Sequence, residues 1–288
     1  MISVKDRVLL GDHRAVVNNI EQAVRQQTFT AKVETGDPQL SRDEASQLLQ
    51  KYEIRRHGLM FKTNTLITRK SLDIFARIAG RGVRVEGASN LRPVTGGAIV
   101  TSNHFSPVEN LFVRKAIGRH RLHIVSQLTN LKMSGWLGYL MNYADTLPIS
   151  TEKEWMGREF PKLLGGYLER GDWALIYPEQ EMWFNYTKPR PPQRGAYYFA
   201  AQFNKPIVSC FISMQTQPSP VTDDFDAVQY TVHVLKPLWP DPQLDVRTAS
   251  KKLQAADYAQ KKAAYEQAYG RKLSYDFTPQ DIAGWRHE

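Results

Sequence analysis

The chain has 288 residues, with 42% hydrophobic and 23% charged side chains, one cysteine and a formal net charge of +9. This composition is typical of one large globular domain with an appended segment, and no apolar run approaches the roughly 18–20 residues of a transmembrane helix, which argues against a membrane-spanning protein. The lone Cys210 excludes an internal disulfide, and a start (Met1 to Asp6) without the basic-then-apolar order of a signal peptide predicts a cytoplasmic protein.

The positive charge is concentrated in one part of the sequence. Between Arg42 and Arg121 there are 15 Lys and Arg against 6 Asp and Glu, so this stretch carries the whole net charge of +9. A basic region predicts a polyanionic partner, which could be an anionic membrane surface, nucleic acid or a phosphorylated substrate. A solvated basic face without a partner is the alternative, and charge alone does not choose among them.

The first 60 residues predict two helices. Residues 14–28 place four apolar side chains at helical spacing, namely Val16, Val17, Ile20 and Val24. Ser41 and Glu44 have the order of a capping box, in which a hydroxyl and a carboxylate satisfy free N–H groups at a helix start. The Gly36-Asp37-Pro38 segment predicts the break between the two helices.

Residues 64–79 predict a third helix that is basic and amphipathic and is ended by Gly80 and Gly82. Its apolar side chains fall on one side, and they are Leu66, Ile67, Ile74, Phe75 and Ile78. Such a helix can lie on anionic lipid. It can equally pack its apolar side on the protein core, and the sequence leaves both interpretations open.

From Val83 onward, short β-rich runs alternate with helical patterns. The runs are 83–86, 98–102, 122–126, 173–177, 207–214 and 229–235, and helices are predicted at 107–118, 154–170 and from Thr248 to about Tyr269. This alternation predicts an α/β fold with a central, mostly parallel sheet flanked by helices. We therefore expect a helical N-terminal segment (1–82), an α/β domain (83–245) and a C-terminal helix and tail (246–288).

The motif with the clearest chemistry runs from Ser102 to Glu109, directly after the apolar strand 98–100. His104 lies where a parallel strand ends, and open α/β sheets place their ligands at that edge. A carboxylate bound to one imidazole nitrogen leaves the other nitrogen free to take a proton from a hydroxyl, which predicts a His104–Glu109 catalytic pair. Alternatively, Ser106, Pro107 and Glu109 form another capping box, in which Glu109 only closes a helix start.

Asn103-His104-x-x-x-x-Glu109 resembles the first motif, Asn-His-x-x-x-x-Asp, of the glycerolipid (lysophospholipid) acyltransferase family. Three further stretches resemble later motifs of that family in the right order, and the resemblance covers roughly residues 83–215. The stretches are Gly135-Trp136-Leu137-Gly138 with Leu147-Pro148-Ile149, the run from Leu168 to Glu179, and Arg194-Gly195-Ala196 through Lys205-Pro206-Ile207-Val208-Ser209. The resemblance implies a glycerol-3-phosphate acyltransferase-like fold.

Three departures from the family pattern affect the expected substrate. Glu109 replaces the usual Asp, Ser150 stands where an arginine usually holds the acceptor phosphate, and Gln180-Glu181-Met182 replaces Gly-Thr-Arg. An uncharged side chain cannot replace the bidentate arginine fork. Either another basic residue binds the phosphate or the acceptor is not a glycerol phosphate, and the candidates are Lys153, Arg158, Lys188, Arg190 and Arg194.

The resemblance implies transfer of a fatty acyl group from a thioester, acyl-CoA or acyl carrier protein, to a hydroxyl of a lysoglycerolipid, with 1-acylglycerol-3-phosphate as the first expectation. His104 and Glu109 would be catalytic, and the expected substrate-binding residues are Asn103, Ser106, Pro178, Glu179, Gln180, Glu181, Arg194 and Gly195. No bound cofactor and no metal ion are expected, and nucleic acid is not expected as a partner.

The expected partners are the lipid substrate, an anionic membrane surface and, for the donor, acyl carrier protein. The protein would dock peripherally on the inner face of a membrane through the basic region around residues 55–92. Two alternatives stay open at this point. Water could replace the acceptor at His104, giving a thioester or ester hydrolase, or the chain could be a non-enzymatic binder of anionic lipid that keeps the acyltransferase shell.

Overall fold

The computed structural model describes Leu9 and residues 12–35 and 40–286. Two predictions lie outside these residues: the N-terminal sequence that suggested a cytoplasmic protein, and the break at Gly36-Asp37-Pro38.

The described helices alternate with strands from residue 84 onward, as the sequence predicts. They are α1 (Arg14–Arg25), α2 (Arg42–Arg56), α3 (Leu59–Ala79), α4 (Glu109–Ile117), α5 (Gly135–Tyr143), α6 (Phe160–Glu169), α7 (Gly195–Gln202) and α8 (Val246–Tyr269). The first helix buries the four predicted apolar side chains but ends at Arg25. The capping box at the start of α2 is confirmed, because Ser41 and Glu44 accept hydrogen bonds from each other's backbone N–H.

A seven-stranded sheet forms the centre of the described chain, with the order β1-β7-β6-β2-β5-β3-β4. The strands are β1 (Arg84–Glu86), β2 (Ala98–Thr101), β3 (Leu122–Gln127), β4 (Thr146–Ile149), β5 (Trp173–Ile176), β6 (Ile207–Pro220) and β7 (Asp226–Val234). Among the pairs of neighbouring strands that the structure describes, only β6 and β7 are antiparallel. The prediction of a mostly parallel sheet flanked by helices is confirmed.

One strand, β4, was not predicted. Its sequence contains Pro148, which cannot donate a hydrogen bond to a neighbouring strand and therefore masks a strand signal. In the structure β4 is at the edge of the sheet and pairs only with β3 among the described strands. An edge strand is where a proline is tolerated.

The two faces of the central strands pack against different helices. Ala98 and Val100 of β2 face a core that includes α4 and the buried side of α3. Ile99 of the same strand faces a core formed with α2, α6 and α7. Because the side chains of a strand alternate between faces, this four-residue strand is buried on both sides. Its carboxyl end is thereby fixed between two layers of helices.

The third predicted helix does not bury its large apolar side chains. The side of α3 that faces the core carries Thr65, Thr68, Leu72 and Ala76. The large apolar residues point away from it, and the exposed fractions of Leu66, Ile67, Ile74, Phe75 and Ile78 lie between 40% and 59%. Helix α3 thus packs on the core, as one of the two interpretations has it, but through its less apolar side, and it leaves the large apolar side chains exposed.

The segments outside the central sheet region pack closely on it. The predicted segment ends at residues 82 and 245 fall just before β1 and at Asp245, which caps the start of α8. Helix α8 packs against β6 and α7. Helix α1 shares a separate buried cluster with Trp183, Phe184 and Tyr186. Neither addition is a loose appendage, although the segment boundaries themselves stay a prediction.

Candidate active site

Two of the sequence motifs meet where neighbouring parallel strands end. Thr101, the last residue of β2, lies beside Ile176, the last residue of β5. The chain that leaves β2 carries Asn103 and His104, and the chain that leaves β5 carries Pro178 and Glu179. Because both strands run in the same direction, their carboxyl ends form one edge of the sheet, as expected for a ligand site in an open α/β fold.

His104 and Glu109 form a contact pair at this edge. Nδ1 of His104 contacts Oε1 of Glu109. The Glu109 side chain is fully buried, whereas 21% of the His104 side chain is exposed. With Nδ1 donating its proton to the carboxylate, Nε2 is the nitrogen that can accept one. A fully buried carboxylate thus contacts one nitrogen of an imidazole that is itself partly exposed.

Glu109 also bonds to the turn before helix α4, so its contact with His104 and its role at the helix start are compatible. Its Oε2 accepts hydrogen bonds from the backbone N–H groups of Phe105, at 2.6 Å, and Ser106, at 2.7 Å. The helix begins at Glu109 itself, two residues later than predicted. One carboxylate thus fixes the turn with one oxygen and the imidazole with the other.

Tyr177 completes the support of the imidazole and was not singled out in the sequence. Its ring stacks on the His104 ring with 4.0 Å between centroids and 9° between planes. Burial and the neighbouring Glu109 carboxylate raise the pKa of Tyr177 well above its usual value. Tyr177 follows β5 directly, so only the pairing of β5 with β2 brings the two rings together.

Asn103 and Ser106 are buried and bond to the backbone. The Asn103 side chain donates to the Ile212 carbonyl at 3.1 Å and accepts from the Ile212 N–H at 2.8 Å. It thereby continues the pairing with β6 beyond the end of β2. The Ser106 hydroxyl accepts from the Val108 N–H at 3.3 Å. These contacts hold the loop that carries His104, and the expected contact of both residues with substrate stays a prediction.

A buried ion pair between Glu179 and Arg190 supports the His104 loop from the other side. The closest contact between the two groups is 3.0 Å, and both side chains are less than 5% exposed. Glu179 also accepts from the His104 N–H at 3.2 Å, and Arg190 donates to the His104 carbonyl at 3.4 Å. The Arg190 guanidinium further stacks over Trp183 at 4.4 Å. In this arrangement the hydrogen bonds of the Glu179 carboxylate go to Arg190 and to the His104 backbone, which are groups of the protein itself.

The remaining expected binding residues lie around the same loop. Pro178 is buried, whereas Gln180 is exposed and adopts a left-handed backbone with φ of 67° at a position where the family usually has glycine. Such a backbone costs on the order of 1 kcal/mol for a residue other than glycine. Glu181 accepts a hydrogen bond from the Gln127 side chain at 3.0 Å.

Of the five basic residues considered for the acceptor phosphate, two are committed elsewhere. Lys188 is buried and pairs with Asp281 at 2.7 Å, and Arg190 pairs with Glu179. Lys153, Arg158 and Arg194 are exposed. Arg194 caps the start of α7, which begins at Gly195, and its neighbour Gln193 donates to the Pro178 carbonyl at 2.6 Å. Arg194 is thus an exposed cation that follows a residue bonded to the chain leaving β5.

A polar cluster from α8 fixes the end of β2, and the sequence did not reveal it. Asp257, which is fully buried, accepts hydrogen bonds from Thr101 at 2.9 Å and Lys261 at 2.8 Å, as well as from the Tyr197 hydroxyl. A buried carboxylate needs such partners. Asp257 and Lys261 are four residues apart on a helix that reads as a solvated charged surface, so no local signal marks them.

Three further findings concern the cysteine, metal-ligand clusters and membrane-spanning helices. Burial raises the pKa of the Cys210 thiol to about 12, which leaves it as an inert side chain of the core. Among the residues that the structure describes, no three His, Cys, Asp or Glu side chains are grouped closely enough to hold a metal ion. Within the same residues no helix is long and apolar enough to span a bilayer.

The family model described as Acyltransferase matches residues 82–213, which include the His104 and Glu179 loops. This segment is similar to acyltransferase domains. Among solved structures, the chain is similar to the crystal structure of the 1-acyl-sn-glycerophosphate (LPA) acyltransferase, PlsC, from Thermotoga maritima, with a TM-score of 0.52 and 14% identity. The match covers 93% of this chain and 98% of that one. No curated protein sequence matches this chain significantly.

The two comparisons carry different weight. At 14% identity the likeness to the Thermotoga maritima acyltransferase shows the fold, including the helices on either side of the matched segment. The matched segment contains both members of the His104–Glu109 pair. The fold is therefore established, the match to the Acyltransferase model is confined to residues 82–213, and the reaction and its substrates belong to the following proposal.

Proposed function

We propose that this protein transfers a fatty acyl group from an acyl thioester to a hydroxyl of a lysoglycerolipid, with His104 as the general base and Glu109 as its orienting acid. The observation that supports this most is the His104–Glu109 contact at the carboxyl end of β2 within the segment that matches the Acyltransferase model. A partly exposed imidazole whose buried nitrogen faces a carboxylate is suited to accept a proton from an alcohol.

The reaction needs no acyl-enzyme intermediate. Nε2 of His104 takes the proton of the acceptor hydroxyl while the oxygen attacks the thioester carbonyl carbon. The tetrahedral oxyanion collapses, the carbon–sulfur bond breaks, and the imidazolium returns the proton to the leaving thiolate. Glu109 stabilises the imidazolium between these steps, because its buried carboxylate is already held by two backbone N–H groups.

The residues of the site define the acceptor less closely than they define the acyl-transfer reaction. The activity of the Thermotoga maritima protein makes 1-acylglycerol-3-phosphate the first acceptor to test. Lys188 and Arg190 are engaged in buried ion pairs, so Arg194 is the cation best positioned to bind an acceptor phosphate. The replacement of the family arginine by Ser150 would instead suit an acceptor without a phosphate monoester.

We further propose that the protein acts at a membrane surface on its cytoplasmic side. The large apolar side chains exposed on the N-terminal helices support this, with exposed fractions of 69% for Ile54, 81% for Leu59 and 78% for Met60. They add to the exposed apolar stripe of α3, which consists of Leu66, Ile67, Ile74, Phe75 and Ile78. Trp136 on α5, which packs beside α3, is 70% exposed. Large apolar side chains exposed together on a protein surface mark interaction sites with proteins or membranes.

The decisive experiment supplies an acyl thioester with a panel of lysolipids and compares the protein with its His104→Ala variant. We expect acylated lipid from the unaltered protein and a rate lower by about 10²–10⁴-fold in the variant, the range for loss of a general base. The melting temperature should change little, since the ring is partly exposed. Full activity in the variant would exclude His104 as the base.

The products distinguish the alternatives. Free fatty acid formed without any acceptor would indicate a hydrolase, because water then takes the place of the lipid hydroxyl. Vesicle binding without either product would indicate a non-enzymatic lipid binder. Acyl-CoA and acyl carrier protein should be compared as donors in the same assay.

A further inference from the structure

A cavity of about 490 Å³ lies between α3, the C-terminal end of α4 and the turn that precedes β3. Seven of its eleven lining residues are Lys or Arg, and one, Asp73, is acidic. Helix α4 begins at Glu109, in contact with His104, and runs for nine residues towards the cavity, which corresponds to about 13 Å. The cavity is therefore separate from the His104–Glu109 pair.

Part of this positive charge is compensated within the protein. The buried Asp145 carboxylate pairs with Arg69 at 2.9 Å and with Arg121 at 2.6 Å. Lys115 donates to two backbone carbonyls. Three lining cations, Lys70, Arg77 and Arg119, form no ion pair with any carboxylate in the part of the chain that the structure describes.

Arg114 lies in the wall of the cavity with unmet hydrogen-bonding capacity. Its side chain is only 3% exposed, its contacts with Asp73 and the Leu122 carbonyl are both 3.3 Å long, and its buried Nε has no hydrogen-bond partner among the described atoms. Burial lowers the pKa of Arg114, a sign that its charge is poorly compensated. A buried guanidinium in this state is stabilised by an anion that enters the cavity.

The exposed apolar stripe of α3 borders the cavity. Lys70 is a one-turn neighbour of both Ile67 and Ile74, and Arg77 is a one-turn neighbour of Ile74. A helix with apolar side chains beside a basic row lies at the boundary between acyl chains and phosphate groups of a bilayer. When the stripe contacts acyl chains, Lys70, Arg77 and the cavity beside them are at the depth of the phosphate groups.

We propose that this cavity binds the phosphate group of an anionic membrane lipid, and so anchors the protein in a fixed orientation on the bilayer. The inference rests on the proposed membrane association and is independent of the chemistry at His104. Phosphates of CoA have the same chemistry, but the position of the cavity beside the apolar stripe favours the lipid.

The test compares two double variants that remove the same charge. Arg77→Gln/Arg119→Gln removes exposed cations of the cavity, and Lys62→Gln/Arg81→Gln removes exposed cations of the same basic region that do not line it. Each is measured by co-sedimentation with vesicles of phosphatidylcholine alone and of phosphatidylcholine mixed with phosphatidylglycerol. Both should fold normally, because none of the four side chains is buried.

We expect the cavity variant to bind mixed vesicles about 100-fold more weakly, because it loses two charge-assisted contacts to a single phosphate group. The control variant should lose much less, because its cations contact no single phosphate. Binding to pure phosphatidylcholine should be unchanged in both. Equal losses in the two variants would mean diffuse attraction and overturn the proposal.

A second measurement separates the lipid from CoA as the source of the phosphate. A water-soluble short-chain phosphatidylglycerol should raise the melting temperature of the unaltered protein and of the control variant, but not of the cavity variant. Stabilisation by free CoA alone, lost in the cavity variant, would assign the cavity to the acyl donor instead.

The same assays distinguish this inference from the proposed function. Loss of acyl transfer in His104→Ala with unchanged vesicle binding leaves the cavity proposal intact. Conversely, the cavity variant should retain acyl transfer to a lysolipid presented in neutral detergent. Replacing Ile74 and Phe75 by Ser should weaken binding to neutral vesicles as well, which tests the apolar stripe by itself.

Discussion

Three of the described histidines contact carboxylates, and the contrast between two of them, His104 and His123, shows what would make such a pair suitable for catalysis. His104 follows β2 and contacts Glu109, with 21% of its side chain exposed. His123 lies within β3, contacts Asp172 at 2.9 Å through Nε2, and is 2% exposed. Its Nδ1 faces Asp145 at 4.0 Å, and its ring stacks on Tyr167. Both nitrogens of His123 thus face acids inside the protein.

The difference lies in which partner of each pair is buried. At His104 the carboxylate is buried and the ring reaches the surface, so one nitrogen is oriented and the other is free. At His123 the ring is buried, and burial lowers its pKa. A histidine and an acid within hydrogen-bonding distance are therefore a catalytic pair only when the ring retains an accessible nitrogen.

The largest effect expected from this comparison is that of Glu109→Gln. The amide would still accept the N–H groups of Phe105 and Ser106, but its NH₂ would then face Nδ1 of His104 and force the proton onto Nε2. A base whose accepting nitrogen already carries a proton cannot act, and the equivalent tautomer error in a Ser-His-Asp triad costs about 10⁴-fold. We expect acyl transfer to fall by about 10³–10⁴-fold in steady-state assays.

The Glu109→Asp variant is the matched control, because it keeps the charge and matches the residue usual in the family. It should retain the correct tautomer and lose much less activity than Glu109→Gln. If the two variants were equally impaired, the length of the side chain and not the tautomer would be the decisive factor, and the assignment of Glu109 as an orienting acid would have to be revised.

A smaller but still large effect is expected from Arg190→Met, since the Glu179–Arg190 pair supports the loop of His104 and not that of His123. The variant leaves the buried Glu179 carboxylate unpaired, and breaking a buried pair costs about 3–5 kcal/mol. Chemical denaturation should show this loss. The double variant Arg190→Met/Glu179→Gln should recover part of it, and no recovery would mean that Arg190 acts through its contact with Trp183 instead.

The sequence predicted the local parts of this site but not the long-range ones. The strand, turn and helix at 98–117 carry their own signals, so the sequence alone was enough to pair His104 with Glu109. Tyr177 reaches His104 only because β5 pairs with β2. Thr101 and Asp257 are 156 residues apart, and nothing near Asp257 distinguishes it from a surface acid.

The fold shows the same division. The presence of β2, β3 and β5 follows from apolar runs, which are a local signal, whereas the direction in which α3 turns its apolar side depends on what packs against it. The sequence showed that α3 is amphipathic, but both of its sides could serve as a contact surface. The threonines Thr65 and Thr68 face the protein, which reverses the usual expectation that the most apolar side is buried.

Next in size is the effect of His123→Ala, which should be one of stability and not of catalysis. The variant removes a buried ring and its hydrogen bond to Asp172, and such changes cost about 2–4 kcal/mol. Per folded molecule, the rate of acyl transfer should stay within a few-fold of the unaltered protein. A loss as large as that of His104→Ala would contradict the division between the two pairs.

The smallest effect concerns His120, a further histidine, which stacks on Trp173 at 3.9 Å between centroids. Burial lowers the pKa of His120 below its ordinary value, so the folded protein binds its proton less readily than the unfolded chain does. The free energy of unfolding should therefore decrease as the pH falls through about 6.5, the pKa of an unperturbed histidine, towards the lower value in the folded state. Burial acts in the same direction on the pKa of His123 and His233.

In His120→Phe, which keeps the ring stacked but cannot be protonated, denaturation measured between about pH 8 and pH 5 should show a shallower decrease in the free energy of unfolding. Identical pH dependence in both proteins would mean that His120 is protonated as easily in the folded state as in the unfolded one.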